Sequence, residues 1–492
     1  MTKPNTKYMS TIEQKKFLNK ASYFLIWDNL SKVFSPLLVF FCAALFAGGP
    51  WGQFKYYEAL MLLAMRFCTF GLDKGLIWYY SQVKESETYL SDFSKSINLT
   101  IALSLAFTLG IIGIHLEIIP WFHQDNIPIS IKYLSFFLGA IPLQILWTLL
   151  IQSLINKRIL LPSALVKNII IPFFTYGTAL LLYLTPFRLY GLGMGFFLGN
   201  LLGSCVATGM FIYYYKPQWN QWSFSIFPPK KLLLYCLPLA STESFMAFTT
   251  RLDLLLLAQY TNISTVETYS VIVILANLLR SIRQSFDNIL LSIFSEHKAT
   301  FINSTHRQTY NYANWLVMSI QIPILVGTIL FGDKLLGIIN PAYSMGYHIL
   351  LIAMFLIFIN TPNAFTSPLI MGLGKTYILP IAQACFIASG IILNFLFIPK
   401  WGGVGAALAT GISSYISGLV NFLLTQKFSN KPLLKQKHLI ALFLSGLIYS
   451  PCFLFIYLFK LNSIVEYFLF FLSSGLFYLY FRKQKKVLHE QT

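Results

Sequence analysis

Apolar runs of about twenty residues or more recur along almost the whole of this 492-residue chain, and that length matches the hydrocarbon thickness that a membrane helix must cross. They are too long for the alternating strands of an outer-membrane barrel. With 56% of residues hydrophobic and 11% charged, there is too little polar surface to cover such runs in water. The chain therefore reads as an all-α polytopic membrane protein. Its first run begins after Lys20 and outlasts the apolar core of a signal peptide without a small-residue cleavage site, so it reads as a retained helix.

The runs predict about fourteen helices, at about 22–47, 54–82, 94–115, 129–155, 161–184, 190–215, 232–259, 266–294, 306–331, 344–371, 374–398, 402–426, 437–459 and 462–481. This divides the chain into an N-terminal segment (1–21), a first lobe of six helices (22–215), a polar linker (216–231), a second lobe of six (232–426), a loop (427–436), a closing helix pair (437–481) and a tail (482–492). A net charge of +19 would suggest nucleic acid in a soluble chain, but here most basic residues sit in short loops and report topology instead. About 23 Lys and Arg fall on one side and about 6, Lys55 among them, on the other, which puts both termini in the cytoplasm. The six cysteines lie in apolar runs without CxxC spacing and read as packing residues.

Charges persist inside the runs. Residues 66–84, RFCTFGLDKGLIWYYSQVK, and residues 280–298, RSIRQSFDNILLSIFSEHK, match at Arg66/Arg280, Asp73/Asp287, Ser81/Ser295 and Lys84/Lys298. An uninterrupted helix would bring each Arg and Asp, seven residues apart, to one face. A second echo joins Gly191, Gly193, Gly195 and Gly199 to Gly403, Gly405 and Gly411 at nearly the same shift. Two like-oriented lobes with a site between them follow from such a repeat, unless chance similarity between apolar helices produced it.

Seven basic residues remain within the runs: Lys32, Arg66, Lys74, Lys167, Arg251, Arg280 and Arg283. At about 3 kcal/mol each at mid-bilayer, facing lipid would cost on the order of 20 kcal/mol, so they must face protein or water. Asp28, Glu58, Asp73, Glu243, Asp253 and Asp287 accompany them, and Asp28 with Lys32 and Arg283 with Asp287 stand at i,i+4. Taken singly, each charge is equally well explained by a salt bridge between helices or by snorkelling. As a set, the cations point to a solvated cavity that accepts an anion. Trp78, Tyr79 and Tyr80 read as interfacial belt residues, and Pro142, Pro323, Pro362 and others permit kinks. Walker, GxSxG and HExxH motifs are absent, so neither ATP hydrolysis nor a metal or other cofactor is expected.

Residues 70–81 (FGLDKGLIWYYS), 237–271 (LPLASTESFMAFTTRLDLLLLAQYTNISTVETYSV), the Leu373-Gly374-Lys375 turn and residues 392–413 (ILNFLFIPKWGGVGAALATGIS) together resemble polysaccharide exporters of the multidrug, oligosaccharidyl-lipid and polysaccharide (MOP) superfamily, which includes the O-antigen flippases. Family members often carry a basic residue where this chain has Trp78, and Lys74 places one a turn earlier. The resemblance implies two six-helix bundles around a V-shaped cavity in the bacterial inner membrane. It implies alternating access that carries a polyprenyl-diphosphate-linked oligosaccharide, with membrane lipids and glycan-assembly proteins as partners.

On this reading Arg66, Lys74, Arg251, Arg280 and Arg283 contact the diphosphate or acidic sugars, with Lys32 and Lys167 secondary. Asp28, Asp73 and Asp287 hold those cations, and Glu58, Glu243 or Asp253 could couple transport to H+ or Na+. Two rivals are kept. A cation-coupled drug exporter of the same superfamily would want an acidic or neutral cavity. A membrane glycan polymerase or ligase would want catalytic groups in larger outer loops.

Overall fold

A computed structural model of the chain describes residues 36–73, 75, 76, 79, 88–117, 131–156, 159, 165–215, 221–296, 301–373, 375, 378–429, 431–433, 449 and 469–478. Every regular element among them is helical, and eight helical spans are long and apolar enough to cross a membrane. The chain divides into two compact units, residues 1–267 and 268–492.

The first unit contains α1 (Pro36–Leu45), α2 (Pro50–Thr69), α3 (Thr88–Glu117), α4 (Ile131–Asn156), a π turn (Leu165–Ile170) running into α5 (Ile171–Tyr183), then α6 (Gly191–Tyr215) and α7 (Lys230–Tyr260). Pro50 starts α2 because its fixed φ suits a first helical turn, where its missing N–H costs nothing. The start is four residues earlier than the apolar pattern predicts. It corrects the placing of Lys55: this residue lies inside α2 with its side chain only 11% exposed, not in an outer loop. Trp51 and Phe54 of α2, Phe137 of α4, Tyr176 of α5 and Phe196 of α6 form a buried aromatic core with ring centroids 5.0–6.4 Å apart, within the range of favourable edge and offset contacts. α5 and α6 close up because Gly195 has no side chain: a Cβ there would lie 2.1 Å from the Thr175 carbonyl oxygen. Large apolar side chains such as Phe41, Leu109 and Leu181 are exposed, as a lipid-facing surface requires.

The following helix, α8 (Ile263–Glu296), has its first turn in the first unit and the rest in the second. The second unit continues with α9 (Ser304–Ile339), a 3-10 turn (Pro341–Gly346), α10 (Tyr347–Ala364), α11 (Thr366–Gly372), α12 (Ile378–Gln426) and α13 (Leu469–Tyr478). The Asn303 side chain accepts from His306 N–H at 2.8 Å, and His306 Nδ1 accepts from Asn303 N–H, which closes a capping box at the start of α9. The two helices predicted over 374–426 are two segments of α12 meeting at Gly402, whose φ of 53° and ψ of −127° interrupt the helix. The α10–α11 rod and the second segment of α12 share polar rungs: Asn360 with Ser414, and seven residues on, Ser367 with Asn421. The constant offset of 54 shows that the two run parallel. In the C-terminal region, Tyr449 and Phe477 pack on Trp315, Met318, Ile322 and Val326 of α9.

Candidate functional site

The charges of α2 are arranged differently from a straight helix. The helix ends at Thr69, and Phe70 (φ 52°) and Gly71 (φ 66°) both adopt left-handed backbone. The predicted uninterrupted helix over 54–82 is therefore corrected to a broken one. Arg66 and Asp73 do not share a face two turns apart. Instead the break folds Asp73 back, and Arg66 Nη1 donates to Asp73 Oδ2 at 3.1 Å. Arg66 also sits in the last turn of α2, where a cation offsets the carbonyl end of the helix dipole.

Beside this pair, Phe67 and Phe70 join Leu237, Ala240, Ser241, Ser244, Phe245 and Phe248 of α7 around an apolar cavity of about 460 Å³. α7 approaches the broken helix closely at Gly75, where a Cβ would stand 2.1 Å from Cys236 Sγ.

Glu58 is engaged locally: Lys55 Nζ donates to its Oε2 at 2.7 Å, and the same ammonium lies 4.8 Å from the Trp51 ring centroid and 5.1 Å from that of Phe54. Two acidic groups of this unit escaped the sequence reading. Asp92 accepts from Tyr79 Oη at 2.6 Å and from Lys95 Nζ at 3.2 Å. Tyr79 is thus a buried hydrogen-bonded side chain, 7% exposed, which corrects its assignment to the interfacial belt. Glu267, 2% exposed, accepts from the backbone N–H groups of Gly48 (3.1 Å) and Gly49 (2.7 Å).

Arg251 is half-buried on α7 and Asp253 is buried, its Oδ1 accepting from Leu254 N–H at 2.7 Å. Lys167 is exposed on the π turn. Asp28, Lys32, Lys74 and the Glu243 side chain lie outside the described residues, as do Trp78, Ser81, Lys84 and Lys298.

In the second unit α8 runs unbroken through the repeat of this motif. Arg283 Nη1 donates to both carboxylate oxygens of Asp287, at 2.9 and 3.1 Å, which is the i,i+4 pair that the spacing predicts. Its guanidinium also lies 5.9 Å from the Phe365 ring centroid. Arg280 and Arg283 line one cavity of about 200 Å³ together with Ile357, Asn360 and Thr361 of α10 and Ser414 of α12.

The neutral wall of that cavity is built by hydrogen bonds. Asn360 Nδ2 donates to Ser414 Oγ at 2.9 Å and to its carbonyl at 3.1 Å, while Thr361 Oγ1 donates to Gln321 Oε1 at 2.9 Å. Gln321 Nε2 in turn donates to the Leu279 carbonyl at 3.2 Å, tying α9 to the turn of α8 that carries Arg280. Asn360 Oδ1 is buried and accepts no hydrogen bond from the described residues. Two guanidinium groups beside an amide and two hydroxyls can hold an anion and hydrogen-bond hydroxyl groups attached to it. Sequence reasoning found the arginines and missed Asn360, Thr361 and Ser414; the heptad spacing of the polar rungs is a sequence signal for Asn360 and Ser414. Among the described residues no three His, Cys, Asp or Glu side chains gather as a metal site would need.

No family model and no curated protein sequence matches the chain. Solved structures do. The lipid II flippase MurJ in an inward closed conformation superposes with a TM-score of 0.76 at 19% identity, over 93% of this chain and 99% of that one. An inward-facing multidrug resistance MATE family transporter of the MOP superfamily gives 0.65 at 12%, over 81% and 97%. A MOP superfamily transporter from Pyrococcus furiosus, described by a binding pocket of reverse polarity, gives 0.55 at 13%, over 84% and 95%. At these identities the likeness is one of fold, and the fold of this chain is the one that these transporters share.

Proposed function

We propose that the chain is a flippase that carries a polyprenyl-diphosphate-linked oligosaccharide across the bacterial cytoplasmic membrane by alternating access. The observation that carries this reading is the cavity where Arg280 and Arg283 meet Asn360, Thr361 and Ser414. A diphosphate needs cations in a low-dielectric site, and sugar hydroxyls need neutral donors and acceptors. The shared fold with a protein named as a lipid II flippase supports it. In this reading residues 22–215 and 232–426 form two six-helix bundles, residues 437–481 complete fourteen spans, and both termini face the cytoplasm. Arg66, Lys74 and Arg251, with Lys32 and Lys167, extend the cationic lining, while Asp28, Asp73 and Asp287 hold those cations in place. Glu58, Glu243 or Asp253 links transport to a proton or sodium gradient.

The shared fold with a multidrug MATE transporter favours a second reading, a cation-coupled drug exporter. Two arginines in the cavity oppose it, because a cationic drug would be repelled there. A deletion strain separates the two. A flippase deletion accumulates lipid-linked units facing the cytoplasm and loses surface glycan, whereas an exporter deletion keeps its glycan and becomes sensitive to drugs.

A further inference from the structure

Residues 222–229, just before α7, form no regular helix, yet they do not hang free of the apolar helices. Ser223 N–H donates to Ser94 Oγ at 3.0 Å, and Asn98 Nδ2 donates to the carbonyls of Ser223 (2.9 Å) and Ser225 (3.2 Å). Asn98 lies about 15 Å along α3 from Thr88, at 1.5 Å per residue, and inside the apolar span Tyr89–Ile111. The segment is therefore held level with membrane-spanning residues.

Irregular backbone at such a depth is stable only if its polar groups are satisfied, and the alternating serines meet part of that need. Ser225 N–H donates to Ser223 Oγ, and Phe227 N–H to Ser225 Oγ, each at 3.3 Å. Between and beside the serines, Phe224 is 87% exposed, Phe227 80% and Ile226 44%. Exposed Tyr213 and Tyr214 close α6 on one side, and exposed Lys230 and Lys231 open α7 on the other.

We infer that residues 222–231 are a membrane-interface anchor: Phe224 and Phe227 insert into the upper acyl region of the leaflet on the side that the lysine distribution assigns to the cytoplasm. Lys230 and Lys231 meet its phosphate groups. Aromatic side chains flanked by lysines are the composition that this boundary stabilises, and anionic lipid attracts lysines held near the surface. The inference rests on the membrane-spanning fold and, for the leaflet, on the lysine distribution, and stands whichever molecule is transported.

The test uses the full chain in liposomes, with a fluorescent amino acid placed at position 224 or 227 and, as a lipid-facing reference, at Leu109 of α3, which is 68% exposed. Lipids brominated near the top of the acyl chain should quench both linker positions at least twofold more strongly than aqueous iodide does. Replacing zwitterionic lipid by phosphatidylglycerol should deepen that quenching, and Lys230→Gln/Lys231→Gln should remove the added part. Iodide quenching that exceeds bromolipid quenching at positions 224 and 227, with position 109 quenched by bromolipid, would overturn the inference.

Discussion

Arg66 reaches Asp73 at 3.1 Å across a left-handed turn made by Phe70 and Gly71, so the pair bridges two pieces of a broken helix. Asp73 is largely buried, whereas the Arg66 side chain is 37% exposed. Replacing Asp73 with Asn should release Arg66 and lower transport severalfold without loss of expression. The exchanged pair Arg66→Asp/Asp73→Arg should keep the ion pair but not restore transport, because the cation then sits on the buried side. Transport equal to wild type in Asp73→Asn would separate this pair from the mechanism.

The turn itself has a measurable cost. At Gly71, φ 66°, an added Cβ strains the backbone, so Gly71→Ala should destabilise by about 1–2 kcal/mol, read as a lowered Tm in detergent. Phe70 already bears such strain at φ 52°.

Gly75 and Cys236 should behave as a coupled pair. Gly75→Ala alone forces its Cβ against Cys236 Sγ and should lower Tm by several degrees. In Gly75→Ala/Cys236→Gly the obstacle is gone, and the loss should be less than the sum of the single changes. Additive losses would place the contact elsewhere.

Glu58→Gln leaves Lys55, with a side chain only 11% exposed, without its carboxylate, a loss on the order of 3 kcal/mol. Lys55→Met/Glu58→Gln should be more stable than Glu58→Gln, because an apolar chain suits the rings of Trp51 and Phe54. The double variant also tests ion coupling: if Glu58 carries the coupling ion, transport by it loses its dependence on the gradient although the protein is folded.

Asn360→Asp would put a carboxylate beside Arg280 and Arg283. It should raise the KM for an anionic substrate at least tenfold, about 1.4 kcal/mol, while Asn360→Ser has a smaller effect. Gly418→Ala should act in the same direction by pressing a Cβ onto Asn360 Oδ1, which lies 2.2 Å from its ideal position.

The membrane class was legible because twenty-residue apolar runs admit few other structures, and among the described residues the long helices lie close to those runs. Ends and breaks were harder to read. Pro50 marks the start of α2 by its position, but the apolar pattern begins later and drew Lys55 into a loop. Gly71 signals the turn after α2, yet its partner in left-handed backbone is a phenylalanine, which propensity argues against. Tyr79 and Asp92 belong to different segments, so their contact has no local signature. Within the candidate site the arginines stood out because charge is costly in lipid. Asn360, Thr361 and Ser414 did not, because neutral polar residues are ordinary in membrane helices and these come from two elements 54 residues apart that only packing unites.

The measurement that bears most directly on the account is the leaflet distribution of a polyprenyl-diphosphate-linked oligosaccharide in liposomes that contain the purified chain, read by a glycan-cleaving enzyme added outside. Wild-type protein should bring inner-leaflet substrate to the outside, and Arg280→Ala/Arg283→Ala, inserted at equal density and with unchanged Tm, should slow this at least tenfold. Movement at the wild-type rate in the double variant, or none in the wild type under either a proton or a sodium gradient, would contradict the account.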